Sequence, residues 1–285
     1  MESDSGFLIA LGAVLGMIFG SFGSVIAYRV PVRMQGEGHD PGEESRPGEA
    51  GKAVADESIL TGRSRCPTCG RIISPIENIP VVSYVLQRGR CRGCGVRIPL
   101  RYPLIEITTG VLFALAAWKF ELTIEAFLFA ALFWVLVVLT QIDLEHRLLP
   151  NRIVYPAFVV GWIGLAVAAI ADGSGDRLVD AAIGAAIFGG FFFIVAFLYP
   201  AGMGGGDVKL GFVLGTFLGY LDGVGVVLVG MFLSFLIGAL VGVGVMLFTE
   251  RGRKAMVPFG PFLALGTVLA VFIGRSIADW YTDLL

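Results

Sequence analysis

Long apolar runs separated by short polar stretches set the pattern of this chain. Runs approaching or reaching membrane-spanning length fall near residues 7–27, 104–119, 123–141, 153–171, 179–199, 208–221, 224–248 and 261–279. A transmembrane helix needs about 20 apolar residues, so the pattern predicts about eight of them. The 208–221 run is short for a span, and a tilted or partly broken helix is expected there. The fold class that follows is an all-α polytopic membrane protein. One stretch, 29–103, is soluble in character and interrupts the series between the first two runs.

Composition agrees with that reading. The 285 residues are 56% hydrophobic and 15% charged, against roughly a quarter charged in ordinary soluble domains. The net charge of −2 says little about partners; its distribution says more. Basic residues follow the first span (Arg29, Arg33 and the arginines through Arg101), the third (Arg147, Arg152), the fifth (Lys209) and the seventh (Arg251, Arg253, Lys254). The opposite face has Lys119, Arg177 and Arg275 among Asp172, Asp176, Asp180, Asp222, Asp279 and Asp283. Cytoplasmic loops carry the excess of Lys and Arg. The 29–103 stretch is therefore expected in the cytoplasm, with both termini outside. The N-terminal MESDSGF lacks a basic n-region, so the first run is expected to be a retained anchor rather than a signal peptide.

Three domains are expected: residues 1–28 as a first transmembrane helix, 29–103 as a cytoplasmic domain, and 104–285 as a core of seven helices. Within the second, 35–58 is rich in Gly, Glu and Ser and reads as a flexible loop, with His39 an exposed member of it. After the loop come CPTC (66–69) and CRGC (91–94). Two C-x2-C turns, each presenting two thiolates, suit one tetrahedral zinc ion held by Cys66, Cys69, Cys91 and Cys94. A reducing cytoplasm argues against disulfides; four unligated thiols are the plainer alternative. With no open coordination position implied, the site reads as structural, folding a domain that lacks a core of its own.

The stretch GMGGGDVKL (202–210) sets four glycines and an aspartate between two apolar runs. A carboxylate at a membrane boundary is costly, so function is the default hypothesis for Asp207. Glycine permits positive φ and close approach of another backbone. The plainer reading is that Asp207 caps the helix beginning near Val208. Asp143 ends the third predicted helix in TQIDLEHRLLPN (140–151), at the same membrane face. Paired carboxylates sharing one proton are the machinery of aspartic proteases, where one activates water and the other polarises the carbonyl. Glu145, His146 and Arg147 read as a solvated cluster at the membrane edge.

An ordered set of motifs spans nearly the whole chain: GSFGSVIAYRVP (20–31), CPTC, NIPVVSYVLQRGRCRGCGVRIPLRYPLIE (78–106), IDLEHRLLPN (142–151), MGGGDVKLG (203–211) and VPFGPFLALG (257–266). It resembles the type IV prepilin peptidases, integral-membrane aspartic proteases of the GxGD type in the bacterial cytoplasmic membrane. The resemblance implies cleavage of the short basic leader of prepilins or pseudopilins after a glycine, on the cytoplasmic side. It implies S-adenosylmethionine-dependent N-methylation of the new N-terminus as a second reaction. Asp143 and Asp207 carry over as the catalytic pair, supported by Gly204, Gly206 and Lys209 of the second motif, and the four cysteines carry over as zinc ligands. Glu106, at the mouth of the second predicted helix, is a candidate for the substrate amine or leader; an interfacial charge is its plainer reading. Ser24 stands where the family usually has asparagine, and Pro75 where a tryptophan is common. Both lie in the N-terminal half, which keeps open a peptidase without methylation.

Two readings from other classes remain. Glycine-interrupted helices with boundary carboxylates also build ion or proton sites in transporters, although no clear repeat pairs the two aspartate segments. A scaffold binding a secretion ATPase or pilin through its zinc domain would tolerate loss of both aspartates. No P-loop is present, so ATP is not expected, and no glycine-rich dinucleotide fingerprint marks a site for the methyl donor; nucleic acid is not expected as a partner. Membrane lipid and the prepilin are.

Overall fold

The computed structural model describes residues 2–37, 64–200, 203–248 and 258–284, and the described residues form helices and turns without a β-sheet. The helices are α1 (Glu2–Glu37), α2 (Val82–Leu86), α3 (Arg101–Phe120), α4 (Ile124–His146), α5 (Asn151–Asp172), α6 (Asp176–Leu198), α7 (Gly205–Phe248) and α8 (Gly260–Thr282). All but α2 are long and apolar enough to cross a bilayer. Helices answer the main demand of lipid, since every backbone N–H and C=O must find its partner inside the segment.

The longest of them, α7, holds two of the eight predicted spans. Asp222 (φ −156°, ψ 31°) and Gly223 (φ 70°, ψ −158°) leave helical geometry and divide it. The two halves fold back on each other: a Cβ at Gly230 would meet Leu218 Cδ1 at 2.5 Å. The short 208–221 run is thus one arm of a hairpin. Two further boundaries differ from the hydropathy reading. Helix α1 continues to Glu37, so residues 35–37 of the expected loop are helical, while the rest of 35–58 lies outside the described residues. Helix α4 continues one turn past Asp143 to His146 and ends on Arg147 in the left-handed conformation. Polar residues after Asp143 lower the hydropathy without breaking the i→i−4 ladder, so the composition change and the helix end need not coincide.

Two compact units form, Met1–Leu122 and Thr123–Leu285. In the first, α1 packs along α3 at very short range. Gly16 makes this possible, since a Cβ there would meet Thr109 O at 2.5 Å; small residues at four-residue spacing allow helix backbones to touch in membranes. In the second, α4 to α8 surround a core that includes Phe129, Phe133, Leu136, Phe188, Leu214 and Leu218, all nearly inaccessible. One end of this bundle is tied by a polar cluster. Arg177 at the start of α6 pairs with Glu125 at the start of α4 (3.1 Å), and its Nε donates to the carbonyl of Tyr220 (3.2 Å). The Arg177 guanidinium also lies 4.0 Å over the Tyr220 ring. At the other end, Phe259 sits among Phe192, Phe235 and Phe262 with ring centroids 5.5–6.0 Å apart, which seats the start of α8.

Candidate active site and metal centre

Asp143 and Asp207 come from α4 and from the first turn of α7, and they stand close enough to interact electrostatically. Asp143 is buried, with 5% of its surface exposed, and Asp207 is half-buried. A third helix completes the arrangement: the backbone N–H of Gly260, first residue of α8, donates to Asp143 Oδ2 at 2.9 Å. The first N–H groups of a helix have no intrahelical partner and carry its positive end, so a carboxylate satisfies both. Leu149, in the turn between α4 and α5, fills the space between these elements. A Cβ at Gly206 would meet Leu149 Cβ at 2.8 Å, and one at Gly260 would meet Leu149 Cδ2 at 3.4 Å.

This clarifies what the glycines do. None of Gly204, Gly205 and Gly206 adopts positive φ, so a left-handed bend is not their contribution. Gly206 is required for the approach of Leu149. Gly204 lies beside the catalytic candidate itself: its carbonyl accepts the Asp207 N–H at 3.1 Å, and a Cβ on it would stand 3.3 Å from Asp207 Oδ2. Helix α7 begins at Gly205 rather than near Val208, so Asp207 lies inside its first turn and is not its N-cap. Lys209 points to the neighbouring helix, where its Nζ donates to Asn151 Oδ1 at 2.8 Å and lies 5.3 Å from the centre of the Tyr155 ring.

In the first unit the two cysteine turns are built alike. Cys66 N–H donates to Arg71 O and Gly70 N–H to Cys66 O; Cys91 N–H donates to Val96 O and Gly95 N–H to Cys91 O, all at 2.9 Å. Gly70 (φ 69°) and Gly95 (φ 72°) supply the left-handed residue that each turn requires. The four Sγ atoms lie within 4.8 Å of one another, with Cys66 and Cys94 3.9 Å apart. Backbone N–H groups of Cys94 and Gly93 pull the Cys91 thiol down to about 6. At Cys94 the Val96 N–H favours the thiolate, but burial and the other three thiols outweigh it and push this group up to about 11. A bound cation draws off such remaining protons. This is a four-thiolate set suited to one metal ion.

Glu77 was not singled out from the sequence, and it joins the two turns. Its side chain, 4% exposed, pairs with Arg71 of the first turn at 2.9 Å and with Arg92 of the second at 3.6 Å. It also closes a capping box with Ser74. The S-x-x-E spacing at Ser74–Glu77 was the legible sign of this. Glu106 is buried and accepts the Val81 N–H at 2.7 Å. Val81 sits at φ 57°, ψ −48°, with Val82 N–H reaching back to Pro80 O at 2.5 Å. A β-branched residue in that conformation is strained, and Glu106 helps to hold it; the Ser21 side chain is a second partner of this carboxylate, so both partners belong to the chain itself. Ser24 is also buried and donates to Ser21 O at 2.8 Å.

Comparison with known proteins places this arrangement in a family. Residues 14–120 match the model of the bacterial peptidase A24 N-terminal domain, and residues 130–243 that of the type IV leader peptidase family. Proteins named prepilin leader peptidase/N-methyltransferase are similar along almost their full length. The one from Stutzerimonas stutzeri is 33% identical over 274 residues, covering 94% of this chain and 91% of that protein. Those from Pseudomonas aeruginosa (34%, 94% and 91%) and Bacillus subtilis (31%, 97% and 99%) are alike. No solved structure matches. With two family models in chain order and one-third identity over nearly the whole length, the chain belongs to the type IV leader peptidase family.

Proposed function

We propose that this protein removes the basic leader from prepilins or pseudopilins after a glycine, at the cytoplasmic face of the bacterial cytoplasmic membrane, with Asp143 and Asp207 as an aspartic dyad. What supports this is that two carboxylates from separate helices lie within electrostatic reach of each other at one end of the second unit, one of them held by the start of a third helix. The substrate's apolar helix lies in the membrane, which brings its scissile bond to the depth of the pair. One carboxylate takes a proton from water while the water oxygen attacks the scissile carbonyl carbon. The other, protonated, donates to the developing oxyanion. The C–N bond then breaks as the leaving amine takes up a proton. Gly260 keeps Asp143 oriented throughout, because its N–H occupies one carboxylate oxygen and leaves the other for water.

Cys66, Cys69, Cys91 and Cys94 hold zinc in this reading. A tetrahedral ion with Zn–S bonds of about 2.3 Å has S–S edges of about 3.8 Å, and the Cys66–Cys94 separation is 3.9 Å. The ion ties the two turns together and supplies no chemistry at the dyad. The relatives' name also includes N-methylation, and we extend that activity to this chain. The cavity of about 450 Å³ between α1 and α3 does not suit S-adenosylmethionine: Met17, Val111, Leu115 and Trp118 are typical of its apolar lining and offer nothing to an amino-acid zwitterion or a ribose. No residue is therefore assigned to the donor.

Leader removal from a prepilin, followed in liposomes with the Asp143→Asn and Asp207→Asn variants, tests the reading. Both variants are expected to insert and to lose cleavage. Substantial cleavage by either one overturns the dyad.

A further inference from the structure

The four-cysteine domain carries an unusual surface. Ile79, Val82, Val85 and Leu86 are 44–69% exposed, and Ile76, just before them, is 71% exposed. Val82, Val85 and Leu86 lie at i, i+3 and i+4 of α2 and share one face, and Ile76 and Ile79 stand exposed in the segment just before it. Polar neighbours turn elsewhere: the Tyr84 hydroxyl donates to Ile98 O and the Gln87 amide to Glu77 O. A domain this small would gain by burying such a face, yet among its described residues nothing covers it.

The charge of the same segment indicates what does. Residues 64–101 hold seven arginines and one glutamate, with no lysine or aspartate. Arg88 and Arg90 follow directly after α2, and both are exposed. Even with four thiolates around a divalent ion, the domain stays cationic, which disfavours a cationic partner and favours an anionic one. The domain is also joined at both ends to membrane helices. Leu100 (65% exposed) and Leu104 (59%) are also exposed, at the start of α3, the point at which the chain enters the bilayer.

We infer that α2 and its flanking residues are a membrane-surface anchor: the Val82–Leu86 face sinks into the headgroup region of the leaflet that α3 enters, and the neighbouring arginines bind anionic lipid headgroups. An apolar face rimmed by Arg is the composition that lies in the interface plane, and cationic segments beside a membrane helix are drawn to anionic lipid. The four-cysteine domain is then held flat on the membrane rather than hanging from it. This inference does not depend on the peptidase reading.

The test uses the full-length protein in vesicles. The four native tryptophans (Trp118, Trp134, Trp162, Trp280) all lie in membrane helices, so an indole placed at Leu86 or Val85 by Leu86→Trp or Val85→Trp reports on α2 by difference from the parent. Each variant is first checked for unchanged metal content. In phosphatidylglycerol-containing vesicles the added indole should emit at shorter wavelength than in water. It should lose most of its emission to lipid brominated near the headgroup, and less of it in pure phosphatidylcholine. Arg88→Gln with Arg90→Gln should reduce that quenching. An indole that emits as in water and is freely quenched by acrylamide overturns the inference. So does one shielded from acrylamide but untouched by brominated lipid, since protein would then cover the face.

Discussion

Gly260 donates its backbone N–H to Asp143 Oδ2 across 2.9 Å, and a side chain at Gly260 would place its Cβ 2.6 Å from that same oxygen. One carboxylate thus closes a helix end and belongs to the proposed dyad. The two roles can be separated. Asparagine at 143 keeps an acceptor for the Gly260 N–H but cannot serve as a base. Asp143→Asn should leave thermal stability nearly unchanged while cleavage falls to background. Asp143→Ala should also destabilise by about 1–3 kcal/mol, the cost of an orphaned buried donor. Thermal unfolding in detergent beside the leader-removal assay distinguishes the two; equal stability of the Asn and Ala variants would show that the helix-closing bond contributes little.

Gly260→Ala should act on the same contact from the other side. The added methyl forces Asp143 Oδ2 aside, and a displacement of this kind near a catalytic group can cost on the order of 100-fold in rate. Folding should survive, as judged by insertion and unfolding temperature. A variant with wild-type turnover would mean that the Asp143 carboxylate moves without penalty.

Gly206 and Leu149 should couple. Gly206→Ala brings a methyl to 2.8 Å from Leu149 Cβ, and this pushes the first turn of α7, with Asp207, away from α4. We expect a loss of activity on the order of tenfold, largely restored by adding Leu149→Gly, which removes the clashing Cβ. Contacting residues commonly show coupling of about 0.5–3 kcal/mol. Additive losses in the double variant would place the Gly206 requirement elsewhere.

The four-thiolate centre predicts about one zinc per chain in reduced, freshly purified protein. Cys66→Ser or Cys91→Ser should release it, and the 64–100 segment should then become sensitive to protease, because such domains fold on the metal. Full zinc after loss of two cysteines would contradict this.

Glu77 ties the centre to pH. The Ser74 backbone N–H, against the opposing push of burial, and then the Arg71 guanidinium hold this carboxyl below its usual range. A group with a depressed folded pKa stabilises fully above its unfolded value, about 4.3, and loses that stabilisation as pH falls through the folded value. At neutral pH, Glu77→Gln should therefore give up metal to a chelator faster than wild type. The difference should shrink in acid, below the folded pKa, where wild-type Glu77 is itself neutral. A gap between the two that is independent of pH would assign Glu77 a packing role only.

Hydropathy alone located the membrane helices, because lipid imposes a local rule: each segment must be apolar along its length and satisfied within itself. The division of α7 at Asp222–Gly223 was equally legible as a polar residue and a glycine between apolar runs. The four cysteines declared themselves by spacing, since a short turn brings two thiolates together without help from the rest of the fold. What the sequence could not specify lies between distant segments. Asp143 and Gly260 are 117 positions apart in the chain, and the N–H of Gly260 is no different in sequence from any other. Only the packing of α8, seated by Phe259 among its aromatic neighbours, aims it at a carboxylate. The same holds for Gly206, whose motif was open to a left-handed backbone or to the close approach of another backbone, while the structure leaves room there for the Leu149 side chain. Glycine's absent side chain permits either use, and which one applies is decided by the atoms that arrive from elsewhere.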